Sequence, residues 1–368
     1  MHLSLAKALP ALILTGGCFC AAQSQGAPDA QTRFPEPHEA VDLTPVLREA
    51  DGTRIGTRAG WDRRRLELRA AWFEFLGPLA RAHLEQGANR QPPRWTLLDA
   101  DQIDGIRRWR IRYFVETDQE VEAYLLLPAG TDQTCPGLVV FHSTVNESIL
   151  QPAGIEGAPE KAFGLQFARL GFVTLSPRNF LWPTNRRIDA RGQTRHFQGR
   201  HPASKGMDRM LLDGIVAVDL LASLHEVDPD RLGCVGHSLG AKEALYLAAF
   251  DERVRVTVSS EGGIGTRFSN WHDDWYLGPT IREPGFNREH HELLALVAPR
   301  RFLLLGGDAA DGDRSWPFIE AALPAYRLYG AGDELGLFNH GRGHAVPPEA
   351  LERIESWFSH FGADFGAF

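Results

Sequence analysis

The stretch Leu232-Gly233-Cys234-Val235-Gly236-His237-Ser238-Leu239-Gly240-Ala241-Lys242-Glu243-Ala244-Leu245 decides the fold. Residues 232–235 are a short apolar run that reads as a buried strand, launched by Val227-Asp228-Pro229-Asp230. Residues 241–250 read as a helix. Between them stands Gly-x-Ser-x-Gly. The pattern alone is common in loops, but strand before and helix after turn it into a sharp, strained elbow. The two glycines admit the tight turn, so Ser238 projects its hydroxyl beyond the sheet edge. The same turn aims the Leu239 N–H, at the helix start, toward whatever the hydroxyl attacks. Ser238 is therefore the expected nucleophile.

Working outward, the chain from Gly137 alternates short apolar strands (138–141, 173–175, 232–235, 254–258, 302–305 and 336–338) with helices starting near Glu160, Met207, Ala241, Ser315 and Pro347. That alternation implies a mostly parallel sheet with helices on both faces. Upstream, residues 95–98, 109–117 and 121–127 read as antiparallel strands, and 60–76 as a helix on the outside of the main domain. This is the element order of an α/β-hydrolase, with the elbow after the fifth strand of the standard core. The expected division is a signal peptide at 1–22, an extension at 23–94 and a catalytic domain at 95–368.

Composition agrees with an enzyme. The 368 residues are 43% hydrophobic and 23% charged, and a net charge of −8 gives no support to nucleic acid as partner. Lys7, the apolar run 8–14 and small residues through Ala21-Ala22 look like a secretory leader, too short to remain as a membrane span. A secreted or periplasmic protein is expected; lipidation at Cys18 stays open. Cleavage near Ala22 would leave Cys135 and Cys234, with a disulfide between them neither supported nor ruled out by spacing. No metal site and no cofactor are implied, and no other segment has the length and apolarity of a membrane span.

A serine needs a base to take its proton. The loop Phe338-Asn339-His340-Gly341-Arg342-Gly343-His344 follows the last strand, where this fold carries it, and His344 is better placed than His340. Two positions compete for the acid that orients the histidine. Asp311, between Asp308 and Asp313, follows the seventh strand; Glu261 follows the sixth. Both are expected to face His344. The second oxyanion donor is assigned to the backbone N–H of Thr144, with Ser143 as fallback, in the loop after Phe141. His142 there reads as loop-shaping. Loops leaving the sheet supply Arg178, Trp271 and Trp275, whose aromatic faces and polar groups suit a sugar.

From about Gly137 to Phe361 the chain resembles the carbohydrate-esterase branch of the α/β-hydrolases, particularly glucuronoyl esterases. Lys242, four residues after Ser238, matches that family's sugar-contacting lysine. Ser260-Glu261-Gly262-Gly263 resembles its acid motif, and His291-Glu292-Leu293-Leu294-Ala295-Leu296-Val297-Ala298-Pro299-Arg300 resembles its segment entering the seventh strand. His237 and Leu239 stand where the family has Cys and Arg, so the elbow itself looks like those of acetyl xylan esterases and dienelactone-hydrolase-like proteins. The resemblance implies a secreted serine esterase acting on plant or algal polysaccharide esters, acetyl or glucuronoyl. Two other readings share these features: a prolyl-oligopeptidase-like peptidase, disfavoured by the absence of propeller-blade repeats, and a non-catalytic binding module.

Overall fold

The computed structural model describes residues 42–49, 51–128, 134–183 and 187–361. The leader at 1–22 and Cys18 lie outside the described residues.

Three strands open the sheet as an antiparallel meander: β1 (Trp95–Ile103), β2 (Ile106–Glu116) and β3 (Gln119–Leu127). Six follow as a parallel set: β4 (Cys135–Phe141), β5 (Val173–Pro177), β6 (Val227–His237), β7 (Val254–Ser260), β8 (Arg301–Gly306) and β9 (Leu335–Asn339). The sheet order is β1-β2-β3-β5-β4-β6-β7-β8-β9, the α/β-hydrolase arrangement. β6 reaches back further than its apolar run suggests. Between the pairs Pro136↔Asp228 and Gly137↔Leu232 its register slips, and that irregularity absorbs Pro229, which has no N–H to give a ladder.

Side chains of successive strand residues point to opposite faces, and the core follows that period. Val139 and Phe141 enter the large cluster built with α5 (Gly206–Ser223), α6 (Leu239–Phe250), α7 (His291–Val297) and α8 (Trp316–Arg327). Leu138 and Val140 enter the cluster on the other face, under α3 (Phe163–Arg169) and α9 (Pro348–Phe358). Because both faces are covered, the parallel strands read as continuous apolar runs in the sequence.

α1 (Arg58–Leu76) starts at Thr57, whose hydroxyl accepts the Gly60 N–H at 3.2 Å. Expected outside the main domain, it buries Trp61, Leu68, Trp72 and Leu76 in the same cluster as the sheet. The Trp72 indole donates to Glu292 Oε2 at 2.7 Å and stacks on His290 at 5.7 Å. Among the described residues three short helices, α7 and two others, were not expected from the sequence. α2 (Leu79–Glu85) begins on the carboxylate of Asp208, which accepts the Leu79 and Ala80 N–H groups, each at 3.0 Å. α4 (Ala190–Arg200) is capped by Asp189, which accepts from Gly192 at 3.0 Å. Cys135 and Cys234 are buried and form no disulfide with each other. Burial pushes the Cys234 thiol up to about 12.

Candidate active site

The elbow has a local cause. A Cβ on Gly236 would stand 2.2 Å from the Gly240 carbonyl, and one on Gly240 would stand 2.5 Å from the carbonyl oxygen of Phe141. Only glycine lets strand and helix approach so closely. Ser238 between them sits at φ 61°, ψ −114°, a conformation that non-glycine residues rarely adopt. Its N–H donates to the Ser260 carbonyl at 2.8 Å, which ties the turn to the end of β7. α6 begins at Leu239, so its first N–H groups have no partner within the helix.

One residue past β7, Glu261 also takes a positive φ, 56°, and its N–H donates to the Leu305 carbonyl at 2.8 Å. Its carboxylate is buried and accepts the Gly307 N–H and, at 2.6 Å, the Ala310 N–H. Oε2 also meets His344 Nδ1 at 3.3 Å. Burial pushes this carboxyl upward, but the His344 contact and the two amide donors outweigh it, so the group sits below the usual glutamate range. The loop after β9 is fastened to the same place: His340 N–H donates to Gly306 O at 2.8 Å and Gly343 N–H to Gly307 O at 2.5 Å. His344 thus stands over Glu261 at the same end of the sheet as Ser238.

Asp311 does not face His344. Its carboxylate, fully buried, accepts from Gly263 and Ile264 N–H at 2.7 Å each and from the Ser315 hydroxyl at 2.9 Å. Burial raises its pKa. It therefore holds the backbone just after Glu261, and the expectation of two acids on one histidine is corrected. Asp308 and Asp313 are engaged by the Asn339 amide at 2.8 and 2.9 Å. His340 accepts the Arg342 N–H at 3.1 Å and packs against Gly307.

Three residues expected to contact substrate are occupied elsewhere. Arg178 pairs with Glu122 of β3 at 2.9 Å. Trp271 is 1% exposed and donates to the Gly263 carbonyl at 2.7 Å, a core position that supports the loop of Glu261. Lys242 is 3% exposed; its ammonium donates to Ser269 Oγ at 2.7 Å and Asn270 Oδ1 at 3.1 Å. It also lies 4.6 Å from the Trp271 ring centre and 4.7 Å from that of Tyr276. Burial lowers its pKa to about 7. Trp275 stays partly exposed against the core. Arg178, Trp271 and Trp275 stand on loops, where no periodicity tells inward from outward, and Lys242 sits on α6, a helix buried all round that has no polar face to mark it.

Thr144 is exposed at the tip of the loop after β4, whereas the Ser143 N–H already donates to Gln151 Oε1 at 3.4 Å. Two neighbours of His344 left little sequence signal. His237, buried beside the nucleophile position, holds Ser260 Oγ at 3.0 Å and lies 4.6 Å ring to ring from His344. Lys161 donates to the His344 carbonyl at 3.4 Å.

The dienelactone hydrolase family profile matches residues 121–273, from β3 past the elbow and Glu261. YtaP of Bacillus subtilis (strain 168), named a hydrolase, is 26% identical over 257 residues, 65% of this chain and 84% of its own. The 4-O-methyl-glucuronoyl methylesterase of Neurospora crassa is 24% identical over 189 residues, 42% of this chain and under half, 46%, of its own length. Among solved structures, a glucuronoyl esterase from Solibacter usitatus superposes with TM-score 0.65 at 16% identity, covering 88% of this chain and 98% of that one. The chain therefore has the α/β-hydrolase fold and is a carboxylic ester hydrolase whose residues 121–273 match the dienelactone hydrolase family.

Proposed function

We propose that the chain cleaves polysaccharide esters, acetyl or glucuronoyl, with Ser238 as nucleophile, His344 as base and Glu261 as acid. The observation that carries this is the buried Glu261 carboxylate on His344 Nδ1 at 3.3 Å, at the same sheet end as the elbow. A carboxylate partner requires the imidazole to hold its proton on Nδ1, which leaves Nε2 free to accept the serine proton. Ser238 Oγ then attacks the ester carbonyl carbon as Nε2 takes its proton. The tetrahedral oxyanion is held by the N–H groups of Leu239 and Thr144. Collapse expels the alcohol, protonated by His344, and leaves an acyl-serine. Water, deprotonated by the same nitrogen, releases the acid and restores the serine. The long 3.3 Å contact is of the kind that tightens when positive charge develops on the ring.

With Lys242 and Arg178 engaged internally, recognition of the sugar falls to loop groups that keep part of their surface open, such as Trp275. Export through the 1–22 leader would put the enzyme where such polymers are found. Among the described residues, no helix is long and apolar enough to cross a membrane. The test is labelling by a fluorophosphonate with peptide mapping, followed by a panel of acetylated, feruloylated and glucuronoyl esters. Ser238 should carry the adduct, and Ser238→Ala should lose both label and turnover, with kcat down about 10⁶-fold. Turnover retained in folded Ser238→Ala would sink the mechanism.

A further inference from the structure

The two proposed oxyanion donors belong to different elements: Leu239 opens α6, and Thr144 rides on the loop after β4. For both to meet one oxygen, the distance between those elements must be held to a fraction of an ångström. A chain of buried polar contacts spans that gap. On α6, one turn beyond Leu239, Glu243 Oε1 accepts the Asn179 side-chain N–H at 2.9 Å. The backbone N–H of Asn179 donates to His142 Nε2 at 3.1 Å, and His142 Nδ1 meets the Ser143 carbonyl at 2.8 Å. Each polarity is dictated by its neighbour. Asn179 Oδ1 accepts the Leu181 N–H at 3.0 Å, so its amide nitrogen faces Glu243. His142 Nε2 accepts an amide proton, so Nδ1 carries the hydrogen given to Ser143. The far side of the loop is pinned by Trp182, whose indole donates to the Val145 carbonyl at 3.0 Å and lies edge-on to the His142 ring at 4.7 Å. Glu243, Asn179, His142 and Trp182 are all under 5% exposed, so solvent does not compete for these bonds.

We infer that Glu243, Asn179 and His142 form a clasp that sets the spacing between the two halves of the oxyanion hole. They are positioning residues and touch no reacting atom. The inference rests on the assignment of Leu239 and Thr144 as donors.

Asn179→Leu keeps the volume and removes the bridge. It should lower kcat by about 10 to 10²-fold while KM for a small ester stays within a few-fold, the range expected of a misplaced group. The rate of Ser238 phosphonylation by a p-nitrophenyl phosphonate should fall in parallel, since that reaction also needs the hole. Should Asn179→Leu not fold, Glu243→Met breaks the same bond from the helix side. The double variant Asn179→Asp/Glu243→Gln reverses donor and acceptor and should restore kcat to near the wild-type value. A wild-type kcat in folded Asn179→Leu or Glu243→Met would overturn the clasp, as would a double variant no better than Asn179→Leu. A wild-type protein that neither takes up the phosphonate at Ser238 nor cleaves any ester would instead overturn the underlying assignment, and the clasp with it.

Discussion

The turns after β7 and β8 each deliver one buried carboxylate to the same end of the sheet, and each carboxylate accepts two backbone N–H groups. Glu261 takes those of Gly307 and Ala310; Asp311 takes those of Gly263 and Ile264. Each acid thus braces the other's loop. What separates them is the third partner. Glu261 has His344, a group that can become cationic; Asp311 has the Ser315 hydroxyl, which cannot. The same backbone cradle therefore gives opposite electrostatics, with the Glu261 carboxyl below its ordinary range and the Asp311 carboxyl above it. Burial alone does not decide which way a carboxyl shifts; its partners do.

Removing that neighbour is the harshest way to break the comparison. His344→Ala should cost about 10⁶-fold in kcat, close to the loss for the proposed nucleophile, because members of the proposed triad would fail as a unit. Steady-state kinetics decides this, and an active His344→Ala with a dead His340→Ala would transfer the role to His340. Next, Glu261→Gln keeps the shape but not the charge and should lower kcat about 10²- to 10⁴-fold. Asp311→Ala should lower kcat only a few-fold, yet destabilise by about 1–3 kcal/mol by leaving the Gly263 and Ile264 N–H groups without a partner. Equal kinetic losses from the two acids, measured on one ester with denaturation midpoints alongside, would erase the distinction.

The pH dependence of stability sharpens the contrast further. A carboxyl whose pKa is depressed on folding stabilises above its unfolded value, and that contribution is lost on acidification through the folded one. Glu261→Gln should therefore flatten the loss of stability below about pH 4.5. A raised carboxyl does the reverse: its contribution is present below the unfolded value and lost as pH rises through the folded one. Asp311→Asn should remove that decline on the way up from about pH 4. Melting curves across this range test both signs. The smallest effect belongs to Lys242, whose buried ammonium is lowered to about 7. Lys242→Met should leave KM for small esters unchanged and remove the gain in stability between about pH 7 and 10.5 that the depressed lysine supplies. A large rise in KM would return Lys242 to the substrate.

Much of the fold was legible because its causes are local. The elbow needs glycine at two crowded positions, and the strands around it are buried on both faces, so both leave a pattern in one dimension. The lower half of β6 was hidden by Asp228, Pro229 and Asp230, since a register slip at a neighbouring strand leaves no local trace. α4 was hidden by composition: its arginines and glycines form no apolar stripe, and Asp189 alone marks its start. The site was half legible. That Glu261 meets His344 at the elbow's end of the sheet follows from their places after particular strands. Asp311 and Arg178 were misjudged because their partners, at Gly263 and Glu122, are far away in sequence, and Trp271 because a loop gives no sign that its indole turns back to the Gly263 carbonyl. Residue type said what each could bind, not which way it pointed.

Trp61 and Trp72 of α1 have a practical consequence. Both indoles are wholly enclosed against the same interior as the sheet, and losing one large aromatic from such a place costs about 3–5 kcal/mol. A shortened protein that starts at β1, with the elbow and both acids intact, would open a wall of its own interior. The shortest version worth expressing begins before Thr57, where the helix finds its cap.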